Sequence, residues 1–352
     1  MAEKLICGID IGSSKIASVV GIESTQDDEL RIIGFNSTPS RGIKKGLIVD
    51  IEQVTSAIEE GVEKAERMAG HKITRAYTSV GGPHISSLNS HGVVAVSNPQ
   101  SEIVPEDVAR VVEAARAISL STTRQIIEIS PRDYSVDGQS GIKNPVGMSG
   151  VRLEVDTHLI TASSTNLKNI YRCLSDLGIE NAGFIFAGLA AAEAVLTDTE
   201  KDLGVAVVDI GGGKSDICVY VDGSLSYSAS IPIGAKHITN DIAVGLRVSL
   251  GSAEKIKLFL SKQASIYQDK TKRKNIDALD MRDLAIPEDI SSVSLKSVIE
   301  GIMMPRVEEI YTFIREEIKK TGFFDAIPSG IVITGGGSLT IGMVEVGRKT
   351  VG

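Results

Sequence analysis

The stretch 207–221, VVDIGGGKSDICVYV, contains Gly213-Lys214-Ser215, the tail of a phosphate-binding P-loop. The full pattern needs a glycine five residues before Gly213, at 208, where Val208 stands, and a helix opening after the lysine. Instead, residues 216–221 are largely apolar and read as a strand, so the P-loop reading is rejected. The same residues suit a different phosphate chemistry. Asp209 and Asp10, about 200 residues apart, each end an apolar run beside glycines. From opposite sides they could hold a hydrated Mg²⁺, which keeps several waters and takes one or two carboxylates. The turns Gly12-Ser13-Ser14 and Gly211-Gly212-Gly213 would present backbone N–H groups to phosphates. A third turn after a strand, Gly335-Gly336-Gly337-Ser338, would let a nucleotide approach without side-chain clash. One Asp-x-Gly alone is more often a plain hairpin turn. Two in register, with the late triple glycine, favour a nucleotide site.

These residues need elements to hold them. GIDIGSSKIASVVGI and VVDIGGGKSDICVYV both read as strand, tight turn, strand, which predicts a duplicated two-lobed α/β fold. Apolar residues at helical spacing over 51–68, stopped by Gly70, predict a helix, and 73–80 a strand. Between 83 and 161 the texture changes to short strands over 84–88, 92–96, 124–130 and 134–136, a helix opened by Pro105 and a long strand over 151–162. That strand alternates Val151, Leu153 and Val155 with Arg152, Glu154 and Asp156, the pattern of one wet face. The segment reads as a small α+β module inserted in a larger domain. Helices are expected over 166–177, from 189, through much of 236–300 and over 306–320, with a strand at 330–334.

A net charge of −8 argues against a broad nucleic-acid surface, and the basic run Lys270–Lys274 reads as a solvated loop. Cys7, Cys173 and Cys218 are odd in number, widely spaced and without a C-x-x-C, so reduced core thiols and a cytosolic compartment are expected. The start is charged too soon for a signal peptide, and no apolar run approaches a membrane span.

In this order the motifs resemble those of the actin superfamily, and within it the FtsA family of bacterial cell-division proteins. GIDIGSSKI is similar to the superfamily's first phosphate motif, VVDIGGGKSDICVY to its second, and IVITGGGS to its adenosine-side motif; IPIGAKHITNDIA resembles the segment after the second hairpin. SAEKIKLFLS puts Glu254, Lys257 and Ser261 on one helical face, the spacing with which DnaK-type relatives grip adenosine. PSRGIKKGLIVDIE, AERMAG, GGPHISSLNSHG and GIKNPVGMSGVRLEV look like FtsA itself, so the resemblance covers nearly the whole chain. It implies four subdomains: 1A (1–82 and 162–180), the insert 1C (83–161), 2A (181–235 and 301–352) and 2B (236–300). It also implies ATP or ADP with Mg²⁺ between the lobes. The nucleotide residues would be Asp10, Gly12, Ser13, Ser14, Lys15, Asp209, Gly211, Gly212, Gly213, Lys214, Gly234, Glu254, Lys257, Ser261, Gly335, Gly336, Gly337 and Ser338, with Asp10 and Asp209 facing the metal through water. The family polymerises into filaments, links the tubulin-like protein FtsZ to the cytoplasmic membrane face, and meets later division proteins through 1C. Arg306 matches a family arginine near the FtsZ-tail site; the alternative is an exposed charge on a helix surface.

The chain departs from that pattern at three points. Lys214 stands where the family usually has Thr, and Ala235 replaces a second glycine after Gly234. The family also continues to an amphipathic membrane helix that these 352 residues do not include, so they are not expected to anchor themselves. Where actin-like ATPases place a polar residue to orient water, IFAGLAAAEAVL offers Ala187 and Gly188; His237 and His84 read as structural. Tight nucleotide binding with slow hydrolysis is the expectation. The alternatives are a PilM-like adaptor of the same architecture and a small-molecule kinase, for which no motif supplies a base.

Overall fold

The computed structural model describes residues 4–24, 30–97, 102–262, 278–280, 284–288 and 292–351. The basic run 270–274 lies outside the described residues.

The first lobe is built on a five-stranded sheet. Strands β1 (Lys4–Ile11) and β2 (Lys15–Glu23) form the glycine hairpin, and β3 (Leu30–Pro39) continues it antiparallel. Two short strands, β4 (Ile43–Lys44) and β5 (Leu47–Ile48), pair with each other and lead into helix α1 (Ile51–Ala69). Asp50 caps α1 by accepting from Gln53 N at 3.0 Å, and Gly70 ends it at φ 70°, a left-handed position that favours glycine. Its stripe of Val54, Ala57, Ile58, Val62 and Ala65 is buried. β6 (Arg75–Val80) then lies parallel to β1, pairing Asp10 with Ser79.

The module inserted next is a second sheet, in order β7 (Ser86–Ala95), β10 (Arg152–Ser163), β8 (Arg124–Val136), β9 (Gln139–Ile142), covered on one face by α2 (Pro105–Arg116). Here the sequence reading broke strands that the structure keeps whole. β7 runs through the predicted gap at 89–91, and β8 passes Pro131 by a register shift against Asp156 and Thr157. Val151, expected on the buried face of β10, precedes the strand and is exposed. The wet-face alternation covers only the first half of β10, whereas residues 157–162 are all buried because that half packs between the lobes. There His158 Nε2 lies 3.1 Å from Ser228 Oγ of the second lobe.

Helix α3 (Ser164–Asp176) leads to β11 (Glu180–Phe186), a strand the sequence reading missed, which pairs parallel with β6. Residues 181–186 therefore complete the first sheet, which corrects the expected start of 2A at 181. Helices α4 (Ala187–Val195) and α5 (Asp198–Leu203) then open the second half.

The second lobe repeats the plan. Its sheet runs β14 (Ser224–Ile231), β13 (Ser215–Val221), β12 (Val205–Ile210) and β17 (Ile331–Thr334), matching β3-β2-β1-β6, with Asp209 paired to Thr334 as Asp10 is to Ser79. One face of β12 and β13 (Val205, Val207, Cys218, Tyr220) joins the core of the first lobe. The other (Ala206, Val208, Ile210, Ile217, Val219) joins a second core with the helix Met304–Lys319. Burial on both faces is why 205–208 reads as an unbroken apolar run. Helices α6 (Ala235–Leu246) and α7 (Leu250–Lys262) and a small hairpin of β15 (Ala278–Asp280) with β16 (Ser292–Ser294) stand above this sheet, and the helix Met343–Val351 comes after its last strand. Among the described residues, no helix is long and apolar enough to cross a membrane.

Candidate functional site

A cleft of about 650 Å³ opens where the two hairpins meet. Both hairpins read Asp-Ile-Gly-x-x-Lys, and both close with the same bond: Gly12 N donates to Lys15 O at 3.1 Å, Gly211 N to Lys214 O at 2.9 Å. The turns touch across the cleft. A Cβ on Gly212 would displace the Ser14 hydroxyl, and one on Gly213 would lie 3.1 Å from Ser13 Oγ, so a side chain at either place presses on the first hairpin's turn. Gly46 N donates to Ser13 Oγ at 2.8 Å, and Lys236 Nζ to Ser13 O at 2.6 Å.

The carboxylates sit in different surroundings. Asp10 accepts a hydrogen bond from the Ser79 hydroxyl. Burial, and next the Asp216 carboxylate opposite on β13, push Asp209 up to about 6, against the pull of Lys214. Lys214 itself is buried and ion-paired with the fully buried Asp216. Burial works against its charge, but Asp216, Asp209 and Asp10 outweigh burial and hold its pKa above the ordinary lysine value. Its ammonium reaches across to the first lobe, where a Cβ on Gly81 would lie 2.2 Å from Nζ. Lys15, at the equivalent position, is exposed.

On α7, Lys257 Nζ donates to Glu254 Oε2 at 2.8 Å and to Thr239 Oγ1 at 2.9 Å, and Ser261 Oγ accepts from Ile341 N at 3.2 Å. These bonds draw α7 and α6 onto the turn after β17. In that turn Gly335, at φ 82°, lies against Asp209, where a Cβ would be 2.1 Å from Oδ1, while Gly336 has open space beside it.

The structure thus gathers Asp10, Gly12, Ser13, Ser14, Lys15, Asp209, Gly211, Gly212, Lys214, Glu254, Lys257, Ser261, Gly335, Gly336 and Gly337 along one cleft. Three of the expected residues do not line it. Gly213 packs on Ser13, and Gly234 lies where a Cβ would strike the carbonyls of Gly211, Gly212 and Lys214. Ser338 turns back to donate to Gly335 O at 2.7 Å. The lining also includes Ala187, matched above to the water-orienting position, and Ala235, which follows Gly234; Ala191, Lys236, Leu258, Lys262, Thr334, Leu339 and Thr340 line it too, and sequence reasoning did not assign them to the site. Lys236 was legible as a cation in the first turn of the helix after the second hairpin. Ala191, Leu258 and Leu339 carried no signal, because nothing in an apolar side chain marks it as facing a cleft rather than a core.

For a metal, the hairpins offer the carboxylates of Asp10 and Asp209, the cleft's third carboxylate, Glu254, being paired with Lys257, and no cluster of three or more His, Cys, Asp or Glu occurs among the described residues. Two carboxylates with room for water fit Mg²⁺, which dehydrates reluctantly. His84 lies outside the cleft lining, with both ring nitrogens buried and without a hydrogen-bond partner; burial, aided by Arg124 and Lys214, pulls it down to about 4. His237 Nδ1 lies 3.2 Å from Gly234 N at the start of α6. Outside the cleft lining, Arg306 donates to Asp241 at 2.5 and 3.1 Å and pairs with Glu309, in a small pocket lined also with Gly301, Ile302 and Pro305.

A two-lobed α/β molecule whose halves repeat one strand plan, with a module inserted in the first half and a glycine-lined cleft between them, has the actin-like ATPase fold. Two solved structures share that fold. One is the PilM–PilN type IV pilus biogenesis complex (TM-score 0.62, 17% identity, 98% of this chain and 85% of that one). The other is the ethanolamine utilization protein EutJ of Carboxydothermus hydrogenoformans (TM-score 0.53, 15% identity, 100% and 84%). The sequence narrows the class. A family model described as the SHS2 domain inserted in FTSA matches residues 82–161, and one described as cell division protein FtsA matches 206–352. Cell division protein FtsA of Pseudomonas aeruginosa is 38% identical over 346 residues, 98% of this chain and 81% of the relative. That of Bacillus subtilis is 39% identical over 345 residues (98% and 76%), and that of Escherichia coli K12 35% over 353 (98% and 82%). The chain belongs to the FtsA family of cell division proteins.

Proposed function

We propose that this chain is a nucleotide-dependent filament-forming adaptor of bacterial division. It binds ATP or ADP with Mg²⁺ in the cleft, associates with further copies of itself, and binds FtsZ, which the family links to the cytoplasmic face of the membrane through a helix outside these residues. The observation that carries the reading is the convergence of two Asp-Ile-Gly hairpins and a third glycine turn on one cleft, with Asp10 and Asp209 both lining it. Backbone amides of Ser13, Ser14 and Gly212, which line the cleft, would cradle phosphates, and Glu254, Lys257 and the turn at 335–337 would flank the adenosine. When bound, Mg²⁺ would supply charge neutralisation between Asp10, Asp209 and the phosphates. Hydrolysis is slow in this reading, because Ala187 and Ala191, at the start of α4, bring no polar group to orient water. The subdomain division is proposed as read from the sequence, with 181–186 moved to 1A.

The pocket beside Arg306 is the proposed seat of the FtsZ tail, and the insert the contact for later division proteins. The small-molecule kinase reading has no support here, since among the described residues no unassigned carboxylate lines the cleft. Titration of the full chain with a fluorescent ADP or ATP analogue, then sedimentation with and without nucleotide, tests the reading. Saturable binding and nucleotide-dependent pelleting are expected. Absence of binding in the presence of Mg²⁺, or multiple turnovers per minute stimulated by a sugar or acid, would overturn it.

A further inference from the structure

The two hairpins differ at one chemical point. In the second, Asp209 and Asp216 stand directly opposite each other across β12 and β13, whereas in the first Asp10 faces Ala17. Like charges directly opposed on one face of a sheet repel. The hairpin with the carboxylate pair also carries the buried lysine, and the hairpin without it carries an exposed one. Lys214 lines the cleft, pairs with Asp216 and reaches as far as Gly81 of the opposite lobe. Asp216 is fully buried, and its Oδ1 has no hydrogen-bond partner, so the ammonium supplies its neutralising contact through Oδ2. A side chain placed this way does the electrostatic work that a loosely bound cation would otherwise do beside the cleft's carboxylates, Asp209 and Asp10 at the hairpins and Glu254, already paired with Lys257, on α7.

We propose that the Lys214 ammonium is a resident counter-cation of the cleft, so that nucleotide binding by this chain depends only weakly on added divalent cation. The inference rests on the nucleotide reading above and goes beyond it by naming the residue that sets the cation dependence. Each carboxylate that Lys214 neutralises is one less that a metal must neutralise before a polyphosphate can enter. Without that ammonium, cation and nucleotide binding become tightly coupled.

The test measures the affinity of the full chain for ADP and for a non-hydrolysable ATP analogue by calorimetry, in Mg²⁺ and again in EDTA. The wild-type chain is expected to lose no more than about fivefold on metal removal, and Lys214→Met about a hundredfold, the two ends of the usual range for coupled sites. Lys214→Thr, a smaller neutral side chain, is expected to behave as Lys214→Met does. Equal ratios in wild type and variants overturn the proposal and leave the nucleotide reading intact. If neither variant folds, the wild-type ratio decides: a loss of about a hundredfold or more overturns the proposal. A wild-type chain that binds no nucleotide in Mg²⁺ overturns both.

Discussion

Between the two hairpins of the cleft the backbone is one design and the side-chain environments are two. Gly12 and Gly211 donate to the carbonyls of Lys15 and Lys214 in the same turn, and β6 and β17 lie parallel beside them in the same register. Yet Lys15 is exposed while Lys214 is buried against Asp216. The glycine turns after the parallel strands diverge as well. Gly336, after β17, faces open space, whereas Gly81, at the matching place after β6, lies against the Lys214 ammonium. A duplicated fold keeps its hydrogen-bonded frame, and what each copy does depends on what the other copy presses against it.

Substituting the two lysines breaks this comparison most sharply. Lys214→Met leaves Asp216 buried without its partner and is expected to cost roughly 3–5 kcal/mol, against no more than about 0.5 kcal/mol for Lys15→Met; urea denaturation of both variants measures the difference. Equal effects would mean that the buried pair is no more structural than an exposed lysine. Gly212→Val should destabilise by about 1–3 kcal/mol through the clash with Ser14, and adding Ser14→Gly should recover much of the loss.

Acid reports on His84, which lies just past the first lobe's glycine turn and is held at about 4, below the usual histidine value. The unfolded chain therefore takes up the proton first on acidification. Stability is full above about pH 6.5 and falls as pH drops toward 4, by about 1–2 kcal/mol for this residue after allowing for its partial solvent contact. His84→Gln should flatten that part of a plot of urea midpoint against pH. The smallest effects separate the paired glycines. Gly336→Ala should change stability by no more than about 0.5 kcal/mol, and Gly81→Ala should cost about 1–2 kcal/mol because the ammonium it meets is held in a buried pair.

Much of the frame was legible because local rules govern it. Helix α1 announced itself by periodicity and by Gly70 at its end, and the glycine hairpins by apolar runs on either side of a turn. Strand β11 was missed because ENAGFIF mixes polar, small and apolar residues, and only its pairing with β6 defines it. β8 read as two strands because a proline interrupts it, and the register shift that accommodates the proline is settled by the partner strand. In the cleft, charged and glycine residues stood out by type, whereas Ala191, Leu258 and Leu339 look like any apolar residue until the surface they face is known. Gly213 and Gly234 illustrate the reverse: their type pointed to the site, and packing turned them to other tasks.

The sequence by itself determined the two Asp-Ile-Gly turns, the aspartates beside them and the family to which the chain belongs. Spacing within one strand and one turn is a local property, carried by the order of residues. Only the tertiary structure decided that Lys214 is an internal cation and Lys15 a surface one. The two lysines stand at the same place after the same tripeptide, and what separates them is Asp216, Gly81 and the buried space between the lobes, which comes into being only when the two halves close on each other.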